Sequence, residues 1–245
     1  MGQATLSKAI ITAAVTGAIH TPAMSPHLPI TPRQLIDDIM SVHKAGGAVA
    51  HLHVRDPANG QPKADQEIFR EVAAEVKRRC DIVLCATTGG SLGDTVENRG
   101  RVIASLKPEL ASLNAGSMNF ALFHIVPRYE GQWQHDWEKP YLEGTEDFIF
   151  PNTFLTMRQF IALMRQYGTK PEFEIYDVGM INNLAHLIQA GQIATPVYLQ
   201  FVLGILGVSS SSANQYMVCV VLRTVAPAPT LAIFSEEKTP LIRAR

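Results

Sequence analysis

Short apolar runs alternate with amphipathic stretches along most of the chain, the first suited to buried strands, the second carrying helical spacing. Lys8 to Val15 predicts a strand, and Thr31-Pro32 opens a helix to about Lys44, with threonine at the N-cap and proline in the first turn. Ala48 to Val54 predicts a second strand and Asp65 to Arg79 a second helix. Asp81 to Ala86 follows as strand three, then a glycine-rich turn and a helix from about Asp94 to Leu106. Leu110 to Ala115 supplies strand four, Asn152 to Tyr167 a helix, Phe173 to Tyr176 strand five, Met180 to Ala190 a helix, and Val197 to Leu203 strand six. Thr230 to Phe234 is a candidate strand seven, and nothing after it reads as an eighth.

Repeated strand–helix alternation requires right-handed crossovers and therefore a parallel sheet. A closed barrel and an open doubly wound sheet both satisfy this. No GxGxxG follows the first strand, which weighs against a nucleotide-binding sheet. The strand ends carry polar residues instead, where a barrel builds its active site. The expectation is an α/β chain forming one (β/α)8 TIM-type barrel domain over residues 1–245, incomplete at its C-terminus. Two segments depart from the pattern. One is an irregular insertion at about 122–151 holding Trp133 and Trp137, of a size suited to a lid, an oligomer contact or a substrate wall. The other is an atypical tail from about 208.

With 245 residues, 47% of them hydrophobic, the chain can build one large core. A formal net charge of −1 gives no basic field for nucleic acid or an anionic membrane, so the expected partner is a small molecule. Cys80, Cys85 and Cys219 make no disulfide framework, which favours a reducing, cytoplasmic setting. Ala9 to Ile19 is interrupted by Thr12, Thr16 and Gly17 and reads as a buried strand rather than a signal segment. No apolar stretch reaches the roughly 20 residues of a membrane span.

His51-Leu52-His53 is the sharpest chemical signal. Residues two apart on a strand share a face, so both imidazoles project together as candidate zinc ligands; two separate core histidines are the alternative. Thr87-Thr88-Gly89-Gly90-Ser91 offers hydroxyl and N–H donors to a carboxylate, and Asn114 to Phe120 offers more, though glycine with serine or threonine also marks ordinary turns. Glu172, Glu174 and Tyr176 alternate onto one face, with Glu174 the expected inward acid or else the partner of an internal cation. Cys85 reads as a small buried hydrophobe.

Taken in order, several stretches resemble the β-keto acid cleavage enzymes. They are Ile11 to Ala14, Leu28 to Pro32, His51 to Asp56, Thr87 to Gly90, Gly116 to Phe120, Pro171 to Glu174 and Phe201 to Gly204, within about residues 8 to 207. The resemblance implies a (β/α)8 fold, a homo-oligomer (commonly a tetramer), and a divalent metal, usually zinc, on His51 and His53. It implies conversion of a β-keto acid and acetyl-CoA to acetoacetate and a new acyl-CoA. It places the substrate carboxylate against Thr87, Gly89 and Ser117, with Asn119 orienting it and Glu174 handling a proton. One departure stands out. The family's closing strand carries a motif similar to R-V-G-x-E-D, whose Glu is the third metal ligand, and this chain has no such motif; Glu236 and Glu237 lie in unlike surroundings. The expectation is a form lacking the closing βα unit, with weakened metal affinity. The alternatives are another metal-dependent keto-acid lyase or aldolase, and an inactive family member. The residues Ile19, His20, Met24 and Met118 do not translate into a substrate preference.

Overall fold

The computed structural model describes residues 10–90 and 93–210 in full and residues 230–235 by their backbone. Short polar residues set where each long helix begins. Thr31 caps α1 (Pro32–Lys44): its hydroxyl accepts from the Gln34 N–H at 3.3 Å, while the Gln34 amide oxygen accepts from the Thr31 N–H at 2.9 Å. Asp65 caps α2 (Gln66–Arg79) and Thr95 caps α3 (Val96–Leu106) through the same kind of backbone bond. The short α4 (Glu138–Glu143) has no side-chain cap, whereas Thr153 caps α5 (Phe154–Tyr167) and Asp177 caps α6 (Val178–Gln189).

The strands between them pair in one parallel sheet. Its order is β1 (Thr12–Ala14), β2 (Val49–Leu52), β3 (Val83–Ala86), β4 (Leu110–Asn114), then, beyond the short antiparallel pair β5 (Met118–Asn119) and β6 (Ile149–Phe150), β7 (Lys170–Ile175), β8 (Tyr198–Leu203) and β9 (Thr230–Ser235). Among the described residues β1 and β9 each have a single sheet neighbour, so the ring is not closed. The sheet is nevertheless curled: the Thr12 and Tyr198 hydroxyls, from β1 and β8, lie 3.4 Å apart. This is the α/β architecture that the alternation predicts, an incomplete TIM-type barrel of parallel strands. An eighth barrel strand has no place among the described residues, and Glu236 and Glu237 lie outside them.

The pleat divides the strand side chains. Leu52, Leu84, Ala86, Phe173 and Ile175 join the core beneath the helices, where Val72, Val76, Val102, Phe160 and Ile181 cover them. Residues of the opposite parity, including His51, Cys85, Glu172 and Glu174, share the inner side, with Ala14, His51 and Cys85 in one register row. β7 begins at Lys170, earlier than the predicted Phe173, which brings Glu172 into the ladder opposite Tyr198. β1 is shorter than the predicted Lys8 to Val15, and Lys8 and Ala9 lie outside the described residues.

The 122–151 segment is ordered by local chemistry. A 3-10 turn over Phe123–Tyr129, α4, and a second 3-10 turn over Gly144–Asp147 enclose a small core of Leu122, Val126 and Leu142. Glu138, fully buried, fixes this unit to the loop after β1. Its carboxylate accepts the N–H groups of Ala23, Gln134 and His135 at 2.8, 2.9 and 2.8 Å. Burial works against that carboxylate, but the nearby Thr21 hydroxyl and these N–H donors outweigh it and hold its pKa below the ordinary value.

Candidate active site

The C-terminal ends of the strands surround a cavity of about 160 Å³. Its base is polar, formed by His51, His53, Thr87, Asn114, Glu174 and Gln200. Its outer wall is apolar and mostly aromatic, with Ile19, Phe120, Tyr141, Phe148, Phe150 and Val202. Three of these wall residues belong to the insertion, so that segment lines the cavity. Tyr141 is held there by donating its hydroxyl to the Ala18 carbonyl at 2.9 Å, and burial pushes its pKa up to about 12.

The two imidazoles converge. His51 Nε2 and His53 Nε2 lie 3.1 Å apart, with ring centroids 5.0 Å apart. Two nitrogens bound tetrahedrally to one zinc at about 2.0–2.1 Å stand roughly 3.3 Å from each other, so the observed spacing fits a shared ion. The pair alone equally describes a hydrogen bond between tautomers. The surroundings also fit an ion. His51 Nδ1 is buried without a hydrogen-bond partner and faces Glu172 Oε1 at 3.8 Å, an ion-pair distance too long for a hydrogen bond. A carboxylate behind a ligating imidazole is the common arrangement at such centres. Burial disfavours the charged His51, yet Glu172 and Glu174 outweigh it and raise its pKa. Burial drives His53 well below the ordinary value, and the neighbouring His51 and Arg55 add to the effect. A neutral His53 is ligand-competent.

A second donor set touches the same ring from its other edge. His51, Cys85 and Glu172 bring their ligand atoms within 4.8 Å of one another, all three buried. The Cys85 thiol donates to Glu172 Oε1 at 3.4 Å, and burial pushes that thiol well above its ordinary pKa, Glu172 and Glu174 adding to it. Cys85 is thus more than a space-filler, while remaining protonated and unreactive.

Glu174 is only 8% exposed, and the Tyr176 hydroxyl donates to its Oε2 at 2.9 Å. Burial raises its pKa, Glu172 adds to the rise, and His51 with the Tyr176 and Ser112 hydroxyls opposes it. Thr87 accepts the Gly89 N–H at 2.9 Å, which leaves its own O–H proton to donate elsewhere. A Cβ on Gly89 would sit 3.1 Å from Thr87 Oγ1 and 3.9 Å from His53 Cε1, so glycine keeps the space between turn and imidazole open. Asn114 Nδ2 and Gln200 Oε1 are buried without partners beside the cavity. Convergent unsatisfied polar groups at the base of an apolar pocket are the signature of a ligand site.

His51, His53, Thr87, Gly89 and Glu174, all singled out from the sequence, therefore line one cavity. Ser117 and Asn119 do not. Both are exposed; the Ser117 hydroxyl accepts the Asn152 N–H at 2.8 Å, and Asn119 packs against Gly207. They flank and end the short β5, which pairs with β6, and it is Phe120 and Phe150 of this region that line the cavity instead. His20 and Ile19 reach the cavity wall, Met24 packs on the insertion core, and Met118 lies in the main core.

Residues 8–242 match the family model described as beta-keto acid cleavage enzyme. The 3,5-dioxohexanoate:acetyl-CoA acetone transferase of Paraburkholderia graminis is 44% identical over 204 residues, covering 83% of this chain and 66% of the relative. The 3-keto-5-aminohexanoate cleavage enzyme of Acetoanaerobium sticklandii is 34% identical over 203 residues, covering 82% and 65%. The 3-dehydrocarnitine:acetyl-CoA trimethylamine transferase of Rhizobium meliloti is 30% identical over 230 residues, covering 86% and 69%. The chain thus spans about two thirds of the length of these curated relatives. Among solved structures, apo ObcA superposes with a TM-score of 0.60 at 19% identity, covering 85% of this chain and 50% of ObcA. ObcA in ternary complex with a C4-CoA adduct and oxalate gives 0.61 at 18% identity, covering 85% and 52%. At that identity the likeness concerns the fold.

Proposed function

This chain belongs to the β-keto acid cleavage enzymes, and from that premise we propose that it converts a β-keto acid and acetyl-CoA to acetoacetate and a new acyl-CoA, using a divalent metal, zinc, held by His51 and His53. In the balanced reaction the bond between C2 and C3 of the keto acid breaks. C2, keeping its carboxylate, joins the acetyl carbonyl carbon, and the coenzyme A thiol passes to the released acyl carbon. The observation that carries this reading is the 3.1 Å approach of the two Nε2 atoms at the base of the cavity, beside an acid and a turn of small donors.

A divalent ion at the two imidazoles supplies Lewis acidity toward the keto oxygen. The rest falls to the chain's own side chains. The Thr87 hydroxyl and the Gly89 backbone take the carboxylate. Glu174, its pKa raised by burial, is suited to hold and release a proton at its carboxyl. Glu172 orients His51 from behind. Ser117 and Asn119, outside the cavity, serve indirectly, Ser117 by holding the Asn152 backbone. The aromatic wall excludes water. An apolar cavity of roughly 150 Å³ takes up a benzene molecule, so this one suits a short keto acid, with the coenzyme A chain entering at the mouth.

Among the described residues no helix is long and apolar enough to cross a membrane; a cytoplasmic setting and a homo-oligomer belong to the proposal. Incubation of the zinc-loaded chain with a panel of β-keto acids, with and without acetyl-CoA, tests the activity. Acetoacetate and acyl-CoA should form together and only with acetyl-CoA. Cleavage without it points to an aldolase-type lyase, and no turnover of any acid rejects the reading.

A further inference from the structure

Behind the Thr87–Gly90 turn lies a buried cation whose bonded partners are all neutral. Arg99 projects from α3 and is 3% exposed. Its Nε donates to the Thr88 carbonyl at 2.6 Å, Nη1 to the Pro151 carbonyl at 3.0 Å, and Nη2 to Asn152 Oδ1 at 2.7 Å. Its guanidinium lies 5.0 Å from the centroid of the Phe150 ring and 5.1 Å from that of Phe160. Among the described residues no carboxylate oxygen comes within 4.0 Å of it; Asp94 and Glu174 act on it from farther away. Burial lowers its pKa to about 10, which leaves it charged at neutral pH.

An isolated buried charge is costly, and packing needs alone would be met by a neutral side chain. What the charge does here follows from its neighbours. The Arg99 bond to the Thr88 oxygen polarises the peptide whose N–H, on Gly89, donates to Thr87 Oγ1, and with that lone pair occupied the Thr87 hydroxyl is left to donate to a ligand in the cavity. Asn152, on its other flank, is held by Ser117.

We infer that Arg99 is a positioning and specificity-determining residue for the substrate carboxylate: it fixes the Thr87–Gly90 turn, and its charge, only partly offset by the more distant Asp94 and Glu174, favours an anionic group there. The inference rests on the β-keto acid reading of the cavity. It is tested by calorimetric binding of acetoacetate and of its neutral methyl ester to the full chain. Wild type should prefer the acid, Arg99→Lys should keep most of that preference, and Arg99→Met should lose it. Because removal of Arg99 risks the fold, the deciding variant is Asn152→Asp, which sets a carboxylate where the amide oxygen now meets Nη2 and neutralises the charge in place. Acetoacetate affinity should fall about tenfold, with ester affinity unchanged and the thermal midpoint not lowered. An Asn152→Asp protein that binds acetoacetate like wild type overturns the inference. A wild-type protein that binds acid and ester alike overturns the carboxylate reading on which it rests.

Discussion

Glu172 is the residue whose replacement most cleanly separates packing from chemistry. It is fully buried, contacts the Cys85 thiol, and stands behind His51 Nδ1. Glu172→Gln preserves its volume and removes the charge, so zinc affinity, read by competition with a chelator, should weaken by about 10–100-fold. Glu174→Gln should leave zinc affinity nearly intact and lower kcat by about a hundredfold or more, as removal of a proton-handling group does. At this scale the sequence was most legible where strand parity governs. His51 with His53, and Glu172 with Glu174, share faces because they are two residues apart; His51, His53 and Glu174 line the cavity, and Glu172 stands behind His51. Thr87 and Gly89 follow directly after β3 and were equally legible. Ser117 and Asn119 were not, because a two-residue strand leaves no periodicity to read and its hairpin partner is some thirty residues away. Arg99 gave no signal of its own. An arginine on a helix reads as solvated, and only the three-dimensional meeting of Thr88, Pro151 and Asn152 buries it.

The helices and most strands were legible as elements from their spacing, and Thr31 caps α1 as the sequence suggests; Asp65, Thr95, Thr153 and Asp177 are caps that only the structure reveals, each within three residues of the expected helix start. Thr153→Ala should cost about 1 kcal/mol of stability, measured by urea denaturation. The insertion was legible only as an irregular length of chain. Its internal order depends on Glu138 reaching the N–H of Ala23, a contact 115 residues apart in sequence. Glu138→Gln should destabilise by about 1.5–3 kcal/mol at pH 7. The pH dependence has a definite sign. A carboxyl whose pKa is depressed by folding contributes stability above its unfolded pKa and loses it as pH falls through the folded value. Acid denaturation followed by circular dichroism should therefore show a shallower decline below about pH 4.3 in Glu138→Gln than in wild type. The same variant should loosen the Tyr141 side of the cavity wall and raise KM more than it lowers kcat.

At the scale of the whole molecule, a sheet that is curled and, among the described residues, has two edges carries a site that depends on the curl. Six of the parallel strands bring Ala14, His51, Thr87, Asn114, Glu174 and Gln200 around one basin, and the Thr12–Tyr198 contact spans its interior. Alternation of strands and helices predicted this architecture. Closure could not be read in the same way, because it depends on pairing between the first strand and the last. The proposed function depends on the imidazole pair holding the ion. Metal content of purified wild-type, His51→Ala, His53→Ala and Cys85→Ser proteins, measured by plasma mass spectrometry after dialysis, tests that directly. About one equivalent of zinc should remain in wild type and Cys85→Ser and be lost from both histidine variants. Retention in His53→Ala together with loss in Cys85→Ser would contradict the account and move the ion to the opposite edge of His51.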